Sequence, residues 1–389
     1  MIKILGKKKY IFPILIFIIT FVVYYLTSAG KTPYDYFTRL AASFLKGKLY
    51  LTENPAWLNE LIPIGSNKYY IVYPPMPAIL SLPFILIFKD FFQQQYLAHL
   101  LGAGIVLLTY KLALKIKNDQ KLALWAGLLI GFGTIVWFLS SVGSSWYLGQ
   151  ITSCFFLMAG LNEGLGKKRP FLTGLFLGAS FLSRLTTILS FPLFIYLIRG
   201  NTKIKNIVYF ILGILPFILF NFSYNFVRFG TILDKGYILI PEVLEEIWYE
   251  KGLFNLSYIP RHLKVIFASF PIIQKDFPFI IPSWAGLSIW ITTPAFIYSF
   301  LSNIKEKVVQ ISWLVIILIS LVIFSHGTTG FAQFGYRFAV DFYPLLIFLT
   351  IKGVSRKKIK WHHIGMLIIS IAVNLWGVLF INIFNWVRF

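Results

Sequence analysis

Long apolar blocks separated by short polar connections make up most of this chain. A membrane-spanning helix needs about 20 apolar residues to cross about 30 Å of hydrocarbon. On that measure eleven spans are expected, near residues 11–27, 95–114, 123–141, 151–166, 171–183, 186–198, 206–226, 284–302, 309–325, 339–352 and 364–384. The two flanking Ser183-Arg184 are short for separate crossings and read equally well as one broken helix. Segment 74–88 is apolar too, but a full crossing there would move Lys115, Lys117 and Lys121 to the opposite side. It is therefore expected to be interfacial or re-entrant, packed against protein that satisfies its backbone. The predicted fold class is all-α: a polytopic transmembrane helical bundle forming a single domain over 1–389, with long external loops at 28–73 and 228–283.

Within the first long loop the pattern changes. Apolar residues at 36, 37, 40, 44 and 45 recur at helical spacing, and Gly47 is a natural stop. The spacing predicts an amphipathic helix lying at the membrane surface. Asp35 stands at its amino end, where the helix dipole favours an anion.

Composition agrees with a membrane protein: 58% of residues are hydrophobic and only 13% charged, about half the charge of a typical soluble domain. The net charge of +22 would suggest nucleic acid in a soluble chain, but its placement points to the bilayer. Under the expected topology 21 of the 36 basic residues fall in connections on one side, opposed only by Asp119, Glu163 and Glu306. Positive charge marks the cytoplasmic side. A multi-pass cell-membrane protein follows, with the amino terminus cytoplasmic behind Lys3, Lys7, Lys8 and Lys9, an uncleaved first span, and long loops facing outward. Lone Cys154 and five scattered histidines predict neither a disulfide nor a metal cluster.

Several polar residues interrupt this apolar background. Arg184 lies inside an apolar run, where an ionised side chain costs at least ~2.5 kcal/mol unless paired or hydrated. It is read either as a phosphate ligand or as the ion-pair partner of Asp341. Arg337 and Asp341 stand four apart, a spacing that pairs them along a helix face. Asn221, Asn225 and Arg228 share one helical stripe, expected to wall a cavity. Glu242, Glu246 and Glu250 are expected on one helical face, solvated or recognising an acceptor. For Asp35 two roles are open: a helix-capping carboxylate, or a general base beside a lipid-facing surface.

The order of these motifs resembles a known family. Tyr36-Phe37 to Leu45-Lys46-Gly47-Lys48-Leu49-Tyr50, then Lys68-Tyr69-Tyr70 and Tyr73-Pro74-Pro75-Met76-Pro77, is similar to the start of C-type membrane glycosyltransferases. These are relatives of the dolichyl-phosphate-mannose protein mannosyltransferases and the bacterial aminoarabinose transferase. Leu182-Ser183-Arg184, Tyr224 to Gly230, Gly286-Leu287-Ser288 and Phe334 to Phe338 with Asp341 continue the resemblance to about residue 350. It implies a polyprenyl-phosphate sugar donor, an extracytoplasmic acceptor (glycan, lipid or protein), an acidic base at Asp35, and basic residues gripping the phosphate. Arg184, Arg228 and Arg337 compete for that grip, with Asp341, Asn225 and Lys68 nearby in the motifs. The chain departs from the family in lacking a tandem acidic pair at 35 and any carboxylate in 142–150, so no metal is predicted, and a divalent ion is unsupported. Tyr73 replaces a lysine common before the proline pair, leaving Lys68 or Lys89 to substitute. The rival expectation is a lipid-linked saccharide flippase or small-solute transporter, whose charges would line a path through the whole bilayer.

Overall fold

The structure is a computed structural model that describes residues 2–199 and 203–387, without the side chains of 2–11 and 203. The expectation for Lys3, Lys7, Lys8 and Lys9 lies outside the described side chains. Helix α1 (Ile2–Leu26) leads into α2 (Tyr36–Leu45), a small hairpin of β1 (Leu61–Pro63) and β2 (Tyr69–Ile71), and α3 (Met76–Phe88). The bundle continues through α4 (Gln94–Ile116), α5 (Gln120–Phe132), α6 (Val136–Val142), α7 (Ser145–Leu165), α8 (Pro170–Phe181), α9 (Phe191–Ile198) and α10 (Lys203–Phe229). After the second long loop, with α11 (Ile259–Ala268) and a hairpin of β3 (Ile272–Ile273) and β4 (Ile280–Ile281), come α12 (Ile289–Thr292), α13 (Lys307–Phe324), α14 (Tyr343–Ser355) and α15 (Trp361–Val378).

Helix α7 is the axis. All its residues except Trp146, Phe155, Phe156 and Leu165 are buried, including Gln150, Thr152, Ser153, Asn162 and Glu163. Polar groups persist inside an apolar bundle only when partnered. Ser153 accordingly meets Ser180 of α8 at 2.9 Å, and Asn162 donates to the Leu108 carbonyl of α4 at 2.8 Å. By contrast α10 exposes Leu212, Leu215, Leu219, Phe226 and Val227 along its length, an outward apolar face suited to lipid.

The eleven expected segments are all largely helical, but they do not make eleven uniform spans. Among the described residues four helices are long and apolar enough to cross a membrane, or five if α5 and α6, bent by 51°, count as one. Helix α8, the 185–198 segment and α14 are shorter. Segment 284–302 departs most from expectation, being the four-residue α12 and a 3₁₀ stretch Pro294–Leu301. Pro294 lacks an amide hydrogen, which ends the α-helical ladder. The Phe296 amide then bonds the Thr293 carbonyl, and Asn374 of α15 donates to the neighbouring Thr292 carbonyl at 2.6 Å. Segment 74–88 forms the 13-residue α3, about 20 Å long at 1.5 Å per residue and docked by the Met76 amide on the Leu182 carbonyl at 3.1 Å. Helix α2 starts and stops as its periodicity predicts, with Tyr36, Phe37, Leu40 and Ala41 buried and Gly47 in the left-handed region at φ 67°.

Contacts gather the short basic connections at one end. Lys115 reaches the Asn162 carbonyl, Lys117 the Ser355 carbonyl at 2.9 Å, and Lys352 pairs with Glu306. The long loops gather at the other end. Beside the axis α8 and α10 meet almost backbone to backbone, where a Cβ on Gly174 would collide with the Phe210 carbonyl and one on Gly213 with the Phe171 carbonyl. Small residues permit this approach between membrane helices. We expect Gly213→Val to lower stability by about 1–3 kcal/mol through overpacking. Gly365, whose Cβ would meet nothing within 4 Å, should accept alanine without loss; thermal unfolding of both variants in detergent checks the contrast.

Candidate active site

The long-loop end encloses a cavity of about 250 Å³, lined among others by Tyr73, Trp146, Arg184, Lys235, His326 and Arg337. Arg184 enters because α8 stops at Phe181 and residue 184 adopts an extended conformation, φ −148° and ψ 108°, before a 3₁₀ turn Leu185–Ser190. Its Nε donates to both oxygens of Asp341 at 3.1 Å and its Nη2 to Oδ2 at 3.0 Å. Thr186 Oγ1 adds a bond to Asp341 at 2.8 Å. Asp341 is fully buried, whereas 30% of the Arg184 side chain stays exposed, so the guanidinium keeps donors for the cavity.

Arg337 is different. It forms no ion pair among the described residues, and its Nε is buried without a hydrogen-bond partner. Its guanidinium lies 4.8 Å from the Phe338 ring centre and 5.8 Å from that of Tyr147. The Gln150 amide of α7 holds the Arg337 carbonyl at 3.0 Å, and the neighbouring loop is tied by His262, which joins the Tyr336 hydroxyl at 2.6 Å and the His326 carbonyl at 2.8 Å. Burial pushes the His326 imidazole down to about 4, leaving it neutral near pH 7.

A second, outer cavity of about 490 Å³ shares Tyr237, His326, Arg337 and Phe338 with the first and adds Glu60. Trp146 Nε1 donates to Glu60 Oε2 at 2.9 Å, and the Tyr36 hydroxyl accepts from the Glu60 amide at 3.1 Å. Burial raises the Glu60 carboxyl to about 7, against the lowering pull of the Trp146 bond and of Arg337. A base poised near ambient pH beside a half-buried guanidinium is the arrangement acid–base chemistry uses. On one flank the inner cavity is walled by the apolar Ile238, Phe254, Val322 and Ile323, of which the first three expose 43%, 54% and 38% of their surface.

No family model matches the chain, and no curated protein does. Among solved structures it is similar to the aminoarabinose transferase ArnT from Cupriavidus metallidurans bound to undecaprenyl phosphate, with a TM-score of 0.54 and 12% identity over 92% of this chain and 62% of that one. The Archaeoglobus fulgidus oligosaccharyltransferase in the apo form gives a TM-score of 0.52 and 14% identity, over 96% of this chain and 56% of that one. The chain has the fold of the C-type glycosyltransferases. It spans about three fifths of the length of these two relatives.

Within the C-type fold the expected residues part company. Arg184, Arg337 and Asp341 come together, but Asp341 pairs with Arg184 rather than Arg337. Residues Arg337–Asp341 form a 3₁₀ helix, and at three residues per turn positions four apart no longer align. Arg228 and Asn225 bind each other at 2.9 Å, and Arg228 donates to the Ile71 carbonyl at 2.7 Å while stacking 3.7 Å from the Tyr224 ring centre. They tie α10 to the first hairpin and do not line the inner cavity. Lys68 lies over the Tyr50 ring at 5.1 Å, outside both cavities. Asp35 makes no side-chain capping bond; it pairs with Arg39 at 2.7 Å and lines a third cleft with Lys89. Glu60 and Lys235 were not singled out by pattern, since neither interrupts an apolar run; only their place in long, structured outer loops marked them. Among the described residues no group of three or more His, Cys, Asp or Glu side chains is arranged to hold a metal ion.

The Arg184–Asp341 geometry predicts unequal single variants. Arg184→Leu leaves a fully buried carboxylate unpaired and should cost about 3–5 kcal/mol, whereas Asp341→Leu leaves a guanidinium that still reaches water and should cost less. Joining both changes should recover much of the loss, measured as thermal midpoints across the double-mutant cycle.

Proposed function

We propose that this chain is a membrane glycosyltransferase that moves one sugar from a polyprenyl-phosphate carrier to an acceptor hydroxyl on the extracytoplasmic side. The observation that carries the reading is the Arg337 guanidinium, outside any ion pair among the described residues and with its Nε buried and unpartnered, at the wall between an apolar-flanked cavity and a water-facing one containing Glu60. A lipid-linked donor needs both: an apolar side entry for its chain and a fixed cation for its phosphate. The undecaprenyl phosphate held by ArnT is a ligand of that kind.

In the proposed step the acceptor oxygen attacks the anomeric carbon of the sugar. The carbon–oxygen bond to phosphate breaks, and the acceptor proton passes to the Glu60 carboxylate. The departing polyprenyl phosphate gains one negative charge, which Arg337 and the free donors of Arg184 stabilise in place. Arginine suits this task through its planar, multiply donating fork. Asp35, held by Arg39 in a separate cleft, serves as a positioning carboxylate at the start of α2. The transporter alternative is disfavoured by the interior beneath the cavity: Leu157, Met158 and Leu161 of α7 and Ile347, Leu349 and Ile351 of α14 are buried there, and the next charges on these two helices, Glu163 and Lys352, are already paired with Arg169 and Glu306.

The test is release of polyprenyl phosphate from a panel of polyprenyl-monophosphate-linked sugars by the purified protein in lipid. Below the Glu60 pKa of about 7 the base is protonated, so the rate should rise with pH and level off above it. Glu60→Gln should abolish that limb and lose about 10²–10⁴ in rate, while Asp35→Asn retains most turnover. The opposite ranking moves the base to Asp35, and no turnover of any donor by the parent protein contradicts the transferase reading.

A further inference from the structure

The two cavities meeting at Arg337 give the site two doors. One flank is apolar; the outer door is acidic. Glu60, Glu242, Glu245 and Glu246 line the outer cavity, and Arg337 at its floor is the one Lys or Arg lining it among the described residues. In a chain with 36 basic and 14 acidic residues, four carboxylates gathered here without an ion pair to any of them, among the described residues, are a strong local reversal of sign. Their grouping follows from the backbone: residues 243–245 and 247–249 form 3₁₀ turns. Glu245 and Glu246 thus join Glu242 at the rim while Glu250 leaves it, unlike the α-helical face expected from sequence.

A second feature points to a ligand. Tyr249 is 3% exposed, lines the same cavity, and its hydroxyl has no hydrogen-bond partner among the described residues. The ring is fixed 5.6 Å from His326 and against Gly327, which holds the hydroxyl in place at the cavity. Beside it Phe331, another lining residue, stacks on the half-exposed Trp284 at 4.5 Å and lies tilted against Trp248 at 5.1 Å. Aromatic faces of this size suit the apolar face of a sugar ring, with hydroxyls and carboxylates binding its polar edge.

We infer that the outer cavity is the acceptor subsite and that its acceptor is a glycan bearing protonated amino groups. The inference rests on the transferase reading above, because Glu60 at the floor must receive the acceptor's proton. Charge complementarity of this kind selects partners more than it adds raw affinity: rim carboxylates attract ammonium groups and repel a phosphorylated or carboxylated acceptor.

The probe is a β-linked glucosamine oligosaccharide with free amines, compared with the same oligosaccharide fully N-acetylated. Both are titrated into the full chain in nanodiscs at low salt, near pH 6 where the amines are charged. The free-amine form should bind about tenfold more tightly, and this preference should fade with salt as exposed charge pairs are screened. The triple variant Glu242→Gln, Glu245→Gln, Glu246→Gln should lose the preference, and Glu250→Gln should keep it. Tyr249→Phe should weaken both ligands by a few-fold. Equal binding of the two ligands by the parent chain, or an undiminished preference in the triple variant at unchanged thermal midpoint, overturns the inference. Undecaprenyl phosphate is titrated into the same preparations: binding of that lipid without an amine preference sinks the acceptor assignment alone, and absence of lipid binding sinks the transferase reading beneath it.

Discussion

Asp341 is buried with no exposed surface and is held by three bonds from Arg184 and one from Thr186. An unpaired carboxylate in that position would be costly, so the ends of two distant segments, 182–186 and 337–341, must meet. That meeting fixes the site. It spends one carboxylate on one guanidinium and leaves the neighbouring Arg337 outside any direct ion pair among the described residues. The pair is thus a structural clamp whose by-product is a guanidinium left free to meet a ligand where the two cavities join.

Around the clamp the molecule is arranged asymmetrically. Helix α7 supplies a buried polar spine, and Trp146 at its start and Gln150 one turn on hold Glu60 and the Arg337 backbone in turn. Because both supports come from one rigid helix, the proposed base and phosphate ligand keep a fixed relation while the looser outer loops accommodate different acceptors. Sites placed on rigid elements hold geometry better than sites on loops alone. The tie of Arg228 to the first hairpin has the same consequence, locking the loop that carries Glu60 to the end of α10.

Sequence pattern reached some of this and not the rest, for identifiable reasons. The bundle class and helix α2 were legible because apolar periodicity is a local property. Arg184 was legible as a charge in an apolar run, and its pairing with Asp341 was one of two readings. Segment 284–302 misled because its apolar content satisfies a span while Pro294 and the long-range bond from Asn374 decide its backbone. Arg337 and Asp341 were mispaired because period 3.6 was assumed where the chain takes period 3. Asp35 drew attention as an acid at a helix start, though Arg39 four residues on already offered its partner. Glu60 stayed hidden since its meaning lies in Trp146, 86 positions away, and in burial that no local pattern records.

The central claim is that Arg337 is the donor-phosphate site. Its most direct test is equilibrium binding of undecaprenyl phosphate to the purified chain in nanodiscs, compared with Arg337→Gln at matched thermal stability. Loss of one charged hydrogen-bonding group predicts affinity weaker by about 10- to 100-fold. Undiminished affinity in a folded Arg337→Gln protein would contradict the account.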